Sequence, residues 1–411
     1  MIMDSHLSPT QNSASRRRRK GDVCIGNGTP KLPLRARNGH ASWPTEKKYH
    51  KRRKSRSLLR RSWTLPLMLT LATLFLYAPN PTSSNVIHHF ILLSHKADDV
   101  DGSPQYGKGP WDLAFVGFYT ILLSFAREFV MYEVLRPLAR SFGIKSRAKQ
   151  LRFMEQMYIA FYIAFMGPFG MYCMKQTPVW YFNTRGMYEG FPHKTHNANI
   201  KFYYLFQAAF WVQQSVVMLL GFEQRRKDFK ELVGHHIVTI ALIGLSYRFH
   251  FTYMGIAIYV THDISDFFLA ISKSLNCTDS PYQGHSFSLC IILWTYLRHY
   301  INIRIIYSLF NEFGTIGPYE LDWEAEQYKS PLSNIITFVL LASLQALNLF
   351  WLYCLLRNAY RFIFLGIAKD DRSEDEAPET DVGACERDDI DDTLPSQGGN
   401  LPSLNGNTKS T

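Results

Sequence analysis

Between Trp63 and Leu365 the chain is a succession of apolar runs, several of them close to the roughly 20 residues that a helix needs to cross a bilayer. Hydrocarbon offers no partner to a backbone N–H or C=O, so runs of this length are restricted to helices that satisfy those groups internally. The fold class is therefore read as all-α, a polytopic transmembrane helical bundle of about seven to eight spans with disordered polar tails. Expected spans are Leu65–Ala78, Leu113–Val134, Tyr158–Met174, Tyr203–Phe222, Val233–Phe249, Thr252–Ile271, Phe287–Leu309 and Asn334–Tyr353, the last extendable to Leu365. Residues 85–95 read as a separate interfacial helix.

Averaged over the chain, this character disappears: the mean hydropathy is −0.13. Two tails cause the dilution. Residues 1–62 carry a net charge of +14 and residues 369–411 one of −8, and both have the low-hydrophobicity composition of disordered segments. The division expected is a basic cytosolic tail (1–62), a first span with a luminal segment (63–110), a membrane domain (111–365) and an acidic cytosolic tail (366–411). The basic runs Arg16–Lys20 and Lys51–Arg56 lie beside a membrane domain, where a polybasic arm suits anionic lipid; no nucleic-acid partner is expected. Ser373 precedes Glu-Asp-Glu, and Ser55, Ser57 and Ser62 follow basic residues, in the manner of kinase sites.

Arg136–Arg152 holds six Lys/Arg and Arg225–Lys230 four, which places both in the cytosol and, with eight spans, both termini as well. Lys175–Lys201, with four, runs against that tendency. The usable glycosylation sequons at Asn27 and Asn276 then face the cytosol and stay unmodified. Six scattered cysteines without a CxxC spacing indicate neither a disulfide framework nor a zinc knuckle. The first apolar run begins after 62 polar residues and reads as a span, not as a cleaved signal.

Two adjacent apolar runs carry a cluster of His and Asp, groups that lipid does not tolerate without a purpose. His235 and His236 open one; His262, Asp263 and Asp266 lie within the next. If the two helices are antiparallel about a turn near His250, His236 lies fourteen residues before it and Asp263 thirteen after, at a shared depth of roughly 20 Å for a rise of about 1.5 Å per residue. Tyr259, His262, Asp263 and Asp266 fall at i, i+3, i+4 and i+7, one polar stripe on an apolar rod. A single buried histidine is ordinarily a hydrogen-bonded structural residue; five ionisable groups at one depth argue for chemistry.

Two chemistries fit. In one, an imidazole acts as base or nucleophile while a carboxylate accepts its other N–H. In the other, His and Asp bind a metal. Neighbouring His235 and His236 point about 100° apart and would chelate one ion poorly, the HxxxH and HxxHH sets of membrane di-iron enzymes are absent, and the HxxH of His193 and His196 lies in the opposite, luminal loop. No metal is expected.

The stretch from His235-His-Ile-Val-Thr-Ile through Thr261-His-Asp-Ile-Ser-Asp to Ser272-Lys-Ser-Leu-Asn-Cys resembles the Lag motif of ceramide synthases, the longevity-assurance members of the TLC-domain family. Trp180-Tyr-Phe-Asn-Thr-Arg-Gly-Met-Tyr-Glu-Gly-Phe-Pro-His and Arg225-Arg-Lys-Asp-Phe-Lys-Glu-Leu-Val-Gly resemble its fungal branch, and the likeness runs from about Trp111 to Arg361. The resemblance implies transfer of a fatty acyl group from acyl-CoA to the amine of a sphingoid base in the endoplasmic reticulum membrane. It implies that the essential residues are His235, His236, Asp263 and Asp266, with no cofactor beyond the co-substrate acyl-CoA. Either a histidine deprotonates the amine for direct attack or it first takes the acyl group as an acyl-imidazole. Where some fungal members have proline, this chain has Ser265, and His262 replaces a non-histidine residue.

On the cytosolic side Arg225, Arg226, Lys227 and Lys230 are candidates for CoA phosphates. Tyr259, His262, Arg298, His299 and Arg304 are candidate substrate contacts, Arg298, His299 and Arg304 equally placed for structural pairing within an apolar helix. By resemblance, the last luminal loop, about Asn311–Ser330, bears on acyl-chain length, and a small single-span subunit is a plausible partner. A homodimer is equally compatible. The rival to an enzyme is a non-enzymatic TLC protein that binds or moves lipid, which has no need for a base and its carboxylate; a metal-dependent membrane hydrolase or hydroxylase is a third reading.

Overall fold

The computed structural model describes residues 63–97, 104–221 and 228–365. The basic runs near the N-terminus, the serines at 55, 57, 62 and 373, Asn27, Arg225, Arg226 and Lys227 lie outside the described residues.

Helix α1 (Thr64–Tyr77) is followed by a single turn, α2 (His88–Ile91), where an interfacial helix is expected. Then come α3 (Trp111–Ser141, with a π-helical segment at Val130–Leu135), α4 (Arg147–Lys175), α5 (Ala198–Leu219), α6 (Phe229–Arg248) and α7 (Thr252–Cys277). Helix α8 comprises Gln283–Trp294, a π-helical segment Thr295–Ile301 and Asn302–Asn311; α9 is Pro331–Leu365. Among the described residues five helices, α3, α4, α6, α7 and α9, are long and apolar enough to cross a membrane. Helix α1 has only fourteen residues, about 21 Å at the helical rise. Helices α5 and α8 have the length but carry Gln207, Gln213, Arg298, His299 and Asn302 on buried positions, and they bring polarity into the bundle.

The expected hairpin is present. Helices α6 and α7 are antiparallel about Phe249–Phe251, with His250 at φ 67° closing the turn. Helix α7 is the central rod, packed along α4 on one side and α8 on the other, while α5 packs on α3 and α9 on α6. The core is rich in rings and methionines: Tyr203, Tyr204, Tyr259, Met154, Met174 and Met254 are all buried. A Cβ at Gly255 of α7 would strike the Tyr204 hydroxyl, so glycine is what allows α5 and α7 to approach. Outward faces are as apolar as the interior: Phe75 is 76% and Ile363 70% exposed, the surface expected of helices solvated by lipid.

At the end of the bundle that bears His250, two-residue strands β1 (Gln105–Tyr106) and β2 (His196–Asn197) pair antiparallel with Tyr106 opposite His196. They cover the buried Lys201, whose ammonium meets Asp112 at 2.7 Å and the carbonyls of Ser94 and Gly107. Asp112 sits in the first turn of α3, where the helix dipole favours a carboxylate, and it also accepts from the Tyr247 hydroxyl at 2.7 Å.

Candidate functional site

His235 and His236 lie on the second turn of α6, both buried. The Nδ1 of His236 is 2.9 Å from the carbonyl of Leu232. A carbonyl only accepts, so Nδ1 carries the hydrogen and, in the neutral ring, Nε2 carries the lone pair. His262 is arranged alike, its Nδ1 donating to the carbonyl of Ile258 at 2.8 Å, and its Nε2 has no hydrogen-bond partner among the described residues. His235 differs. Its Nδ1 has no hydrogen-bond partner among the described residues, and its Nε2 is 3.5 Å from the Thr239 hydroxyl, too far for a strong bond. Two indoles hold its ring instead: Trp351 at 5.1 Å and 82°, and Trp211 at 5.6 Å and 67°.

Facing these, α7 presents its polar stripe with Tyr259, His262 and Asp263 buried and Asp266 half-buried. The Asp263 carboxylate accepts from the Gln207 amide and from the Tyr203 hydroxyl. Asp266 pairs with Arg298 at 2.6 Å. Arg298 also donates to Ser265 Oγ (2.6 Å), Asn348 Oδ1 (3.1 Å) and the carbonyl of His262 (3.4 Å), and its guanidinium lies 4.0 Å over the Trp294 ring. The carboxylate bond to an imidazole N–H is thus not made between His235 and Asp263. Space separates the two helices there, and Asp263 is turned toward α5.

That space is two chambers. The first, of about 170 Å³, is apolar and runs from Trp211, His235 and His262 past Tyr204 and Tyr259 to a floor that includes Phe251, Trp323 and Tyr328. The second, of about 470 Å³, is polar; it brings together His235, His236, Asp263 and Asp266 with Glu155, Asp228, Glu231, Lys273, Arg298 and Arg357. His235 and Trp211 line both. All four residues expected to be essential therefore meet around one cavity, and Tyr259 and His262 line the apolar chamber.

Other candidates fall elsewhere. His299 and Arg304 line neither chamber: His299 Nδ1 accepts from Gln345 of α9 at 2.7 Å, and Arg304 is exposed on the outer face over the Tyr300 ring. Lys230 is exposed and lines neither chamber. Arg298 lines the polar chamber, but its donors are committed to protein groups. Sequence reasoning passed over Trp211, Trp351, Gln207 and Tyr203; the one signal available was a tryptophan in mid-helix, away from the interface belts where such rings collect.

The histidines of the HxxH pair lie at the opposite end. His193 has Nε2 2.8 Å from the carbonyl of Glu189 and Nδ1 3.2 Å from that of His250, of which the neutral ring donates to only one, and His196 bonds the Thr252 hydroxyl. Burial pushes His193 down to about 4 and His250 to about 3, with nearby Lys108 adding to both, and depresses His196 as well. Lys108, 3.2 Å from His250 Nδ1, is itself pushed down to about 7 by burial and by Lys201. Among the described residues no group of three or more His, Cys, Asp or Glu side chains is arranged to hold a metal ion.

The TLC domain matches residues 152–357, half of the chain and all of the residues named above around the two chambers. The chain is 54% identical over 386 residues to the sphingosine N-acyltransferase-like protein FUM17 of Gibberella moniliformis, covering 90% of this chain and 99% of that one. The chain belongs to the TLC-domain family, on its fungal ceramide synthase branch. It is also 46% identical to the ceramide synthase LAG1 of Saccharomyces cerevisiae, over 78% of each chain, and 43% identical to the sphingosine N-acyltransferase lac1 of Schizosaccharomyces pombe, over 78% of this chain and 82% of the other. In this TLC-domain protein, then, the matched region contains the paired histidines and the aspartate stripe that bound the shared cavity.

Proposed function

We propose that this chain is a membrane-embedded sphingosine N-acyltransferase, a ceramide synthase, and that the observation carrying the reading in detail is the position of His235 at the junction of an apolar and a polar chamber. A fatty acyl chain suits the first, with its thioester carbonyl at His235. A sphingoid-base amine suits the second, beside His236 and the carboxylates. At neutral pH such an amine is mostly protonated and cannot attack. His236, with its lone pair on Nε2, is the base. It takes a proton from the ammonium; the nitrogen lone pair attacks the thioester carbon, the C–N bond forms and the C–S bond breaks. Coenzyme A leaves as thiolate and takes up one proton, and the second proton lost by the nitrogen leaves through the polar chamber. Asp263 and Asp266, fixed by Gln207, Tyr203 and Arg298, keep the chamber favourable to the imidazolium that forms.

The reaction needs no cofactor or metal beyond acyl-CoA. The protein sits in the endoplasmic reticulum membrane with both termini cytosolic, so that the end bearing Asp228 and Lys230 faces the compartment that holds CoA, and Lys273 and Arg357, on the polar chamber, border the nucleotide; Lys230 and, on sequence alone, Arg225, Arg226 and Lys227 are candidates for its phosphates. A small single-span subunit or a second copy of the chain completes the assembly in the membrane. The test is a chain-length series of acyl-CoA with dihydrosphingosine, offered to detergent-purified wild type, His235→Ala, His236→Ala and Asp263→Asn, with folding followed in parallel. Dihydroceramide lost in folded variants supports the reading. A folded wild type that makes none, with or without a co-expressed small subunit, identifies a lipid-binding TLC protein instead.

A further inference from the structure

Asp228 is the N-cap residue of α6, a position where an aspartate ordinarily accepts from its own helix's free N–H groups. Here it makes no such bond. Its Oδ2 accepts instead from the indole Nε1 of Trp351, on α9, at 3.1 Å. That same indole stands nearly perpendicular to the His235 ring at 5.1 Å, two helical turns further along α6 from Asp228. His236 and His262 are each oriented by an N–H donated to a carbonyl one turn back; among the described residues His235 has no comparable bond. Free rotation about χ2 would carry its nitrogens out of the junction between the chambers. What opposes that rotation is the pair of indoles together with the His236 ring, edge-on at 5.8 Å; of the indoles Trp351 has a polar anchor, whereas the indole nitrogen of Trp211 has no hydrogen-bond partner among the described residues.

We propose that Trp351, locked by Asp228, is a positioning residue for His235: the Asp228–Trp351 bond sets the plane of the indole, and the indole sets the plane of the imidazole at the reacting carbonyl. The proposal rests on the acyltransferase reading above. Positioning of this kind acts on the rate of the chemical step more than on binding, and misplacement of a reacting group by about 1 Å can cost on the order of 100-fold. It also explains why an N-cap carboxylate is diverted from its own helix.

Purified protein, assayed with palmitoyl-CoA and dihydrosphingosine, tests it through a cycle of variants. Trp351→Phe keeps a ring against His235 but loses the donor; Asp228→Ala loses the acceptor. Each is expected to lower kcat about tenfold, with the KM values for both substrates and the melting temperature unchanged. Because the two act through one bond, the double variant should be no slower than either single one. Asp228→Asn, whose carboxamide oxygen still accepts, should recover most of the rate. Full kcat in Asp228→Ala, multiplicative losses in the double variant, or losses that follow KM and melting temperature would overturn the positioning role, the last pattern pointing to a tie between helices and nothing more. A folded wild type that forms no dihydroceramide overturns the acyltransferase reading and this role together, whereas an active wild type with unaffected variants overturns this role alone.

Discussion

Arg298 on α8 and Asp266 on α7 form an ion pair of 2.6 Å with the arginine almost wholly buried, and the same guanidinium also bonds Ser265, the carbonyl of His262 and Asn348 of α9. One side chain thereby holds three helices around the polar chamber. Removing it takes a buried cation away from a partly buried carboxylate and a donor away from Ser265, Asn348 and the carbonyl of His262. Arg298→Ala should destabilise the protein by about 3–5 kcal/mol. Arg298→Lys should restore little of this, since an ammonium cannot reproduce a planar fork with five donors. Thermal unfolding in detergent measures both; a melting temperature for Arg298→Lys equal to wild type would show that charge alone is needed.

Gly255 packs against the Tyr204 ring, and both line the apolar chamber. Tyr204 is further held by its bond to Ser246 of α6. An added methyl group must therefore push α5 and α7 apart or drive the ring into the chamber. Gly255→Ala is expected to cost about 1–3 kcal/mol, as overpacking does, and to reduce turnover of every acyl-CoA tested. Gly244, whose added Cβ would meet nothing, is the control: Gly244→Ala should be neutral in the same two assays.

Much of this arrangement is legible in the sequence. The hairpin about His250, the equal depth of His236 and Asp263, and the stripe Tyr259, His262, Asp263, Asp266 all follow from helical periodicity within two adjacent runs, and local arithmetic suffices. The surroundings of the site do not follow from it. Trp351 and Asp228 are 123 residues apart, and no local pattern pairs them. Arg298, His299 and Arg304 fall on three different faces of an ideal helix, at about 0°, 100° and 240°, but the sequence does not say which face meets the chamber. Arg298 reaches it, His299 bonds α9 and Arg304 faces outward, because of how α8 packs between α7 and α9, which a single sequence conceals.

The end of the bundle that holds His250 should be pH-sensitive in a definite sense. Lys108 is pushed down to about 7 from an unfolded value of about 10.4. Between those values the unfolded chain binds a proton that the folded one does not, so stability rises with pH from about 7 to about 10. His193, at about 4 against about 6.5 unfolded, acts in the same direction at lower pH: stability falls as pH drops from about 6.5 toward 4. Lys108→Met keeps the buried stem without the charge. It should flatten the upper slope and reduce the lower one without abolishing it, since the Lys108 charge adds to the burial that depresses His193. Melting temperatures taken from pH 5 to 10 decide this, and an unaltered slope above pH 7 in Lys108→Met would place the titrating group elsewhere.

Tyr328 is 4% exposed and closes the far end of the apolar chamber. It is stacked on His250 at 5.7 Å, meets Phe249 and Trp323 edge-on, and bonds Arg248 through its hydroxyl at 3.3 Å. The floor is thus a side chain from the segment between α8 and α9, clamped to the turn between α6 and α7. On the acyltransferase reading the chamber measures the acyl chain from His235 to this floor, a distance set by the fourteen residue steps from His235 on α6 to its C-cap Phe249, about 21 Å. Truncating the floor should lengthen what fits without altering the reacting end. Tyr328→Ala is expected to move the preferred acyl-CoA toward longer chains, leaving kcat for the best substrate within a few-fold of wild type. Tyr328→Phe, which keeps the ring and loses only the bond to Arg248, should keep the original preference. A competition assay with mixed acyl-CoA lengths and mass-spectrometric readout of the products measures the shift. An unchanged product distribution in Tyr328→Ala would mean that the acyl chain leaves the chamber before reaching the floor, between helices and into lipid.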